Sequence, residues 1–168
     1  MQATTLRARL SGLARIVIET WALAGGCVLL LVVLMNVESV VASALLGAPF
    51  PGDFEMTQVG VAIAAFSFLP YCQMTGANVT ADIFTSGLSK RWVAIFAFVA
   101  SLLALSFSLL LTWRMWDGML DQRDYGYTTT ILQFPHWIAF IPILISLALL
   151  AIASLMTLSE AARDAKRG

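Results

Sequence analysis

Four long apolar runs dominate the chain: Ile16–Val37, Met56–Thr75, Trp92–Trp113 and Trp137–Leu158. Each is about 20 residues long, which crosses a hydrocarbon core of about 30 Å at a rise of about 1.5 Å per residue. With no water in that core, backbone N–H and C=O groups must pair within the segment, so the runs are expected to be helices. The pattern predicts an all-α integral membrane protein with four transmembrane helices in one domain, residues 1–168. Three loops separate the runs. The first, about Glu38 to Glu55, carries Gly47-Ala48-Pro49-Phe50-Pro51-Gly52, a breaker cluster that interrupts any helix. The second covers about Gly76 to Arg91 and the third about Arg114 to Gln133. No repeat links the first pair of runs to the second, which counts against an internally duplicated transporter. The charged tail after Glu160 is expected to be a fraying helix end.

Composition agrees with this class. At 60% hydrophobic and 12% charged residues, the chain is too apolar for a soluble domain of its length. The net charge is zero, so it argues for no acidic or nucleic-acid partner. The distribution of charge is more informative. Eight of the ten Lys and Arg residues lie on one side: Arg7, Arg9 and Arg15, then Lys90 and Arg91, then Arg163, Lys166 and Arg167. The opposite side has only Arg114 and Arg123. The positive-inside rule therefore places both termini and the second loop in the cytoplasm. Trp21 and Trp92 fall near the predicted inner interface, and Trp113, Trp116 and Trp137 near the outer one, as an aromatic belt requires. Ala42-Ser43-Ala44 resembles a cleavage site, but the first apolar run far exceeds the usual 7–15 residues of a signal peptide. An uncleaved span is expected.

Within the spans, Pro70 and Pro142 each remove one helical hydrogen bond and predict kinks, while Pro135 suits a helix start. Gly60–Ala64, Ala97–Ser101 and Ala100–Ala104 are small-xxx-small pairs that let helix backbones approach, and Ala22, Gly25 and Gly26 add a small face to the first span. Cys27 and Cys72 differ in expected depth by about 10 Å, too far for a disulfide.

Chemistry-bearing residues are few. Glu19 is the one charged residue well inside a span, about one turn from its start, with Arg15 one turn earlier. It reads either as a proton-coupling carboxylate, as in small four-span exporters, or as an interfacial carboxylate paired with Arg15 or facing another subunit. His136 is the only histidine, which rules out bis-His haem ligation. Asp117, Asp121 and Asp124 share helical spacing without the EF-hand pattern, and read as a solvated face. No HExxH, CxxC, phosphate-binding glycine loop or Ser–His–Asp order is present. No enzyme activity, cofactor or metal is expected.

One block of residues carries a resemblance. Pro51-Gly52-Asp53-Phe54-Glu55 opens the second span, which continues to Leu69-Pro70-Tyr71-Cys72-Gln73 and then Gly76-Ala77-Asn78-Val79-Thr80-Ala81-Asp82. Phe134-Pro135-His136-Trp137 and Ile141-Pro142 mark the last span. These segments resemble the small permease subunit of TRAP transporters (tripartite ATP-independent periplasmic transporters; DctQ-like). Asn78 stands where that family commonly has His, and Met35-Asn36-Val37-Glu38-Ser39 lacks the Arg that often closes the first span.

The resemblance implies a multi-pass protein of a bacterial or archaeal cell (inner) membrane. It implies two protein partners, a large TRAP permease subunit and a periplasmic solute-binding protein, and sodium-coupled import of an organic acid or related solute. The small subunit would extend the static scaffold of the large one. Residues expected at subunit contacts or in structural roles are Glu19, Glu55, Gly60, Ala64, Pro70, Asn78, Asp82, Pro135, Trp137 and Pro142. Asp82 would meet the negative end of a helix dipole, so a donor is expected from Lys90, Arg91 or the large subunit. The rivals are a self-sufficient proton-coupled exporter using Glu19 and an assembly protein unrelated to transport.

Overall fold

The computed structural model describes residues 2–77 and 90–167. Within them the chain forms four α-helices and no strand: α1 (Gln2–Leu46), α2 (Asp53–Thr75), α3 (Lys90–Asp124) and α4 (His136–Arg167). Among the described residues three stretches are long and apolar enough to cross a membrane: Ser11–Leu46, Ile95–Asp124 and His136–Arg163. The all-α membrane class follows. α2 is not among the three stretches, because Asp53, Glu55, Thr57 and Gln58 crowd its start and Gln73 and Thr75 its end, which shortens its apolar stretch.

The helices run longer than the apolar runs that predicted them. Glu38–Leu46, expected as loop, continues α1; its Val, Ala and Leu residues carry no breaker before Gly47. Gly47 (φ 73°) ends the helix in the left-handed conformation, with its N–H 3.1 Å from the Ser43 carbonyl. Residues 114–124, also expected as loop, complete α3. Gly126 (φ 64°) closes it, as the Tyr127 N–H reaches back 3.2 Å to the Gln122 carbonyl. The tail after Glu160 remains helical through Arg167.

The four helices pack as a row rather than a closed bundle. α4 lies between α3 and α2, α1 packs on the far side of α2, and α1 touches α4 only slightly. The core accordingly concentrates on α4, with Ile143, Leu147, Ala153 and Ala161 buried. Small residues bring α1 and α2 together. A Cβ on Gly25 would sit 2.5 Å from Ser67 Cβ, and one on Gly60 would collide with Val32 Cγ2. α1 and α3, as edge helices, leave most of their large apolar side chains exposed. Those faces suit lipid or a further protein.

Polar side chains stitch the row together where helices cross. Trp21 Nε1 donates to Ser146 Oγ at 2.9 Å, and Ser146 in turn donates to the Pro142 carbonyl at 2.8 Å. Trp21, expected in the headgroup belt, thus also joins α1 to α4. Asn36 Nδ2 donates to Thr57 Oγ1 at 2.8 Å, joining α1 to α2. Gln73 Nε2 donates to Thr157 Oγ1 at 3.2 Å, joining α2 to α4. In an apolar medium each such group needs a partner, and these pairs supply one.

Candidate functional site

The densest polar constellation lies where the 47–52 and 125–135 loops meet, here called the loop end. Gly52 (φ 81°) precedes α2 in a conformation that glycine adopts without strain. Leu132 fills the space beside it; a Cβ on Gly52 would sit 2.5 Å from Leu132 Cγ. One turn later, the Glu55 carboxylate accepts two backbone N–H groups, from Ile131 at 2.8 Å and Leu132 at 3.1 Å. Burial is the strongest single influence on this carboxyl and pushes its pKa up. The Ile131 and Leu132 amides, the Thr129 hydroxyl and the Thr130 amide together outweigh it and hold the group below its ordinary 4.5.

The segment that Glu55 grips is itself closed on both sides. The Thr129 N–H donates to the Phe134 carbonyl at 3.0 Å, and the Phe134 N–H returns 3.0 Å to Thr129 Oγ1. The His136 N–H donates to the Tyr127 carbonyl at 3.1 Å, and an isolated bridge pairs Thr128 with Pro135. Gln133 takes a positive φ of 54° at the tip. The base of the loop is tied to α3, with His136 Nδ1 3.2 Å from Gln122 Oε1 and the Arg123 guanidinium 5.9 Å from the Trp137 ring centroid.

A second anchor holds the other loop. Ser39 Oγ, buried on α1, donates to Asp53 Oδ2 at 2.5 Å and accepts the Phe50 N–H at 3.1 Å. Together with the Glu55 clasp, this makes the loop end a platform of backbone held by two carboxylates. Its surface displays Phe54, Tyr125, Tyr127 and Ile131. It can bind by apolar contact and aromatic stacking. Among the described residues no cluster of three His, Cys, Asp or Glu side chains could hold a metal.

The expected residues fall in three places. Glu55, Pro135 and Trp137 come together at the loop end. Pro135 precedes α4 by one residue, and its carbonyl accepts the Ile138 N–H at 3.2 Å. Gly60, Ala64 and Pro70 are buried on α2, the first two against α1. Pro142 lies inside α4, where the back-bond from Ser146 occupies its carbonyl. Glu19 stands apart on the outward face of α1. The pair of Glu19 with Arg15, one of the expectations for Glu19, does not form: the Arg15 guanidinium lies 3.5 Å from Glu160 of α4 instead. Asn78 and Asp82 lie outside the described residues; Lys90 and Arg91, the donors expected for Asp82, begin α3. Cys27 and Cys72 are free thiols.

Ser39, Asp53, Gln122, Arg123 and Thr129 were not among the expected residues. Asp53 was the most discoverable, since an acidic residue in a helix's first turn after Pro-Gly signals an N-terminal anchor. Nothing in the sequence pairs it with a serine fourteen positions earlier.

An open, apolar groove of about 490 Å³ runs between α1 and α2, bordered by Val32, Asn36, Val40, Thr57 and Val61. It offers one amide and one hydroxyl, already bonded to each other, and no charge. It is therefore a poor container for an ionised solute.

No individual curated protein matches the chain. A family does: the model of the tripartite ATP-independent periplasmic transporters, DctQ component, matches residues 29–164. That range holds the Pro51–Glu55 turn, the Leu69-Pro70-Tyr71 block and the 134–142 segment, including the Glu55 clasp. It describes a transport component rather than an enzyme, and it covers most of the chain, so the protein belongs to the DctQ family of TRAP transporter small membrane subunits.

Proposed function

We propose that this chain is the small membrane subunit of a TRAP-type secondary transporter, and that it supports the large permease subunit as a scaffold without holding solute itself. The observation that carries the reading is the arrangement of polar groups. Among the described residues, bonds between helices engage Trp21 with Ser146, Asn36 with Thr57 and Gln73 with Thr157, and the buried side-chain polar atom left without a partner is a lone hydroxyl, that of Ser154. The α1–α2 groove is open and apolar. A transport site needs unsatisfied polar groups converging near the bilayer midplane. A row of helices without them fits a scaffold.

In this reading all four helices span a bacterial or archaeal inner membrane, α2 included, because it lies buried between α1 and α4. The basic residues put the termini in the cytoplasm, which makes the loop end periplasmic. A secreted solute-binding protein would then meet the aromatic platform held by Glu55. The imported solute is an organic acid or a related compound, and a sodium gradient drives its entry through the large subunit. The exporter rival finds no support in the position of Glu19, which faces away from the other helices of the row.

Reconstitution tests the proposal. Liposomes carrying this chain, the large subunit and the binding protein should accumulate a labelled dicarboxylate or sugar acid when sodium is supplied. Omitting this chain should abolish uptake. Sodium- or proton-driven flux through the chain alone would sink the scaffold reading.

A further inference from the structure

Both edge helices expose apolar faces, but of their apolar runs, Ile16–Val37 and Trp92–Trp113, only the first contains a charge. Ile18, Ala22 and Gly25 turn the first half of α1 toward its neighbours, and the Arg15–Glu160 and Trp21–Ser146 contacts fix the helix about its axis. Glu19 is thereby held outward, about 100° from Ile18 at 3.6 residues per turn. Leu23, Gly26, Leu30, Val37 and Val41 continue the same face along the helix, the last two also bordering the open α1–α2 groove. Leu23 is 71% exposed, Leu30 58% and Val37 55%, and a Cβ on Gly26 would meet nothing within 4 Å. With Arg15 engaged by Glu160, no described side chain forms an ion pair with Glu19. The apolar run of α3, Trp92–Trp113, has no charged residue at all and matches lipid as it stands.

We propose that the Glu19–Leu23–Gly26–Leu30–Val37–Val41 face of α1 is where a membrane-spanning helix of the large permease subunit docks. That helix carries a Lys or Arg, about one turn inside its end, that pairs with Glu19. The inference rests on the TRAP-subunit reading and adds to it the face and the recognition chemistry.

Three observations select this occupant. The first is charge complementarity. A carboxylate one turn inside an apolar helix is costly facing hydrocarbon, and a cation from a neighbouring helix removes that cost. The second is length. Ser11–Leu46 spans 36 residues. That is about 54 Å of helix, and even a tilt of about 40° leaves about 41 Å along the normal, against about 30 Å of hydrocarbon. The exposed Val41, Leu45 and Leu46 at its far end thus outrun the acyl chains and call for a protein cover. The third is symmetry. A two-fold dimer of this chain through the same face would set Glu19 near Glu19, like charge near like charge.

The test uses the assembled transporter in membranes, with a photo-crosslinking amino acid placed at Leu30 or Val37, and at Leu103 or Phe107 of α3 for comparison. The α1 positions should give adducts with the large subunit and the α3 positions none. Glu19→Lys should lower co-purification of the large subunit at least about tenfold, since like charges facing across an interface act against binding. Glu19→Gln should lower it less, and a Lys- or Arg-to-Glu change in the large subunit should rescue Glu19→Lys. Retention of the wild-type elution volume by the isolated variant establishes that it folds. Adducts only from α3, or homodimer adducts from α1, would overturn the proposed face while leaving the subunit reading intact. The same holds if the large subunit co-purifies but no position crosslinks to it, which would make lipid the occupant. Crosslinking from α1 with Glu19→Lys fully assembled would overturn the ion pair. Failure of the wild-type chains to co-purify would overturn both this inference and the subunit reading.

Discussion

The Glu55 carboxylate lies 2.8 Å from the backbone nitrogen of Ile131, and its other oxygen accepts the amide of Leu132. One side chain in the first turn of α2 thus holds the loop between α3 and α4. It joins the two halves of the chain at the loop end, where the helices themselves leave α1 and α3 at opposite edges. A charged acceptor for two amides is a stronger clasp than a neutral one.

That clasp should depend on pH with a definite sign. The Glu55 pKa is lowered in the folded protein, so its contribution is fully present above the ordinary value of 4.5. It is lost as pH falls through the lowered folded value. Amide hydrogen exchange at Ile131 and Leu132, corrected for its intrinsic pH dependence, should accelerate only in that acid range. In Glu55→Gln it should already be fast at neutral pH. Equal protection in the variant at pH 7 would show that the loop holds itself.

Gly60 should not tolerate a branched side chain. Any Cβ there collides with Val32 of α1, and the two helices can separate only by giving up the contact made by Gly25 with Ser67. Gly60→Ile should cost about 1–3 kcal/mol, the usual range for overpacking. Thermal unfolding in detergent measures it, with Gly26→Ile as the control that should be nearly silent.

Trp21 and Ser146 should be energetically coupled. Their bond supplies much of what α1 shares with α4. A double-mutant cycle with Trp21→Phe and Ser146→Ala should return a coupling of about 0.6 kcal/mol, the average for hydrogen bonds between membrane helices, and no more than about 1.7 kcal/mol. Additive single effects would mean the indole is held by packing alone.

Ser154 presents the opposite case. Its hydroxyl is buried and, among the described residues, has no partner. Ser154→Ala removes that unsatisfied group at little cost in volume and should raise stability by up to about 1 kcal/mol. A lower unfolding temperature for the variant would reveal a bond that forms in the membrane.

Topology can be read directly. Alkaline phosphatase fused after Gly52 or Asp124 should be active, and fusions after Gly168 inactive, as the basic-residue asymmetry requires. An active fusion at Gly168 would invert the orientation.

The apolar runs and their length determined by themselves that this chain is helical and membrane-bound, because the bilayer allows few other ways to satisfy a backbone. The Pro51–Glu55 and Leu69–Tyr71 segments carried enough local pattern to mark the family. Helix ends were less legible. Residues 38–46 and 114–124 lose the hydropathy of a span but contain nothing that stops a helix, and only Gly47 and Gly126 do so. What the sequence left open is pairing at a distance. Arg15 had Glu19 one turn away, yet the packing of α1 near α4 brings Glu160 to it instead. Glu55 could be read as a helix-opening acid, but its grip on Ile131 and Leu132 exists only because α4 packs beside α2 and carries the preceding loop across. Hydropathy is a property of each segment and survives in the linear order. Which polar groups meet depends on how the helices are rotated and ordered in the row, and that order, α1–α2–α4–α3, is settled by small residues and side-chain fit between segments far apart in the chain.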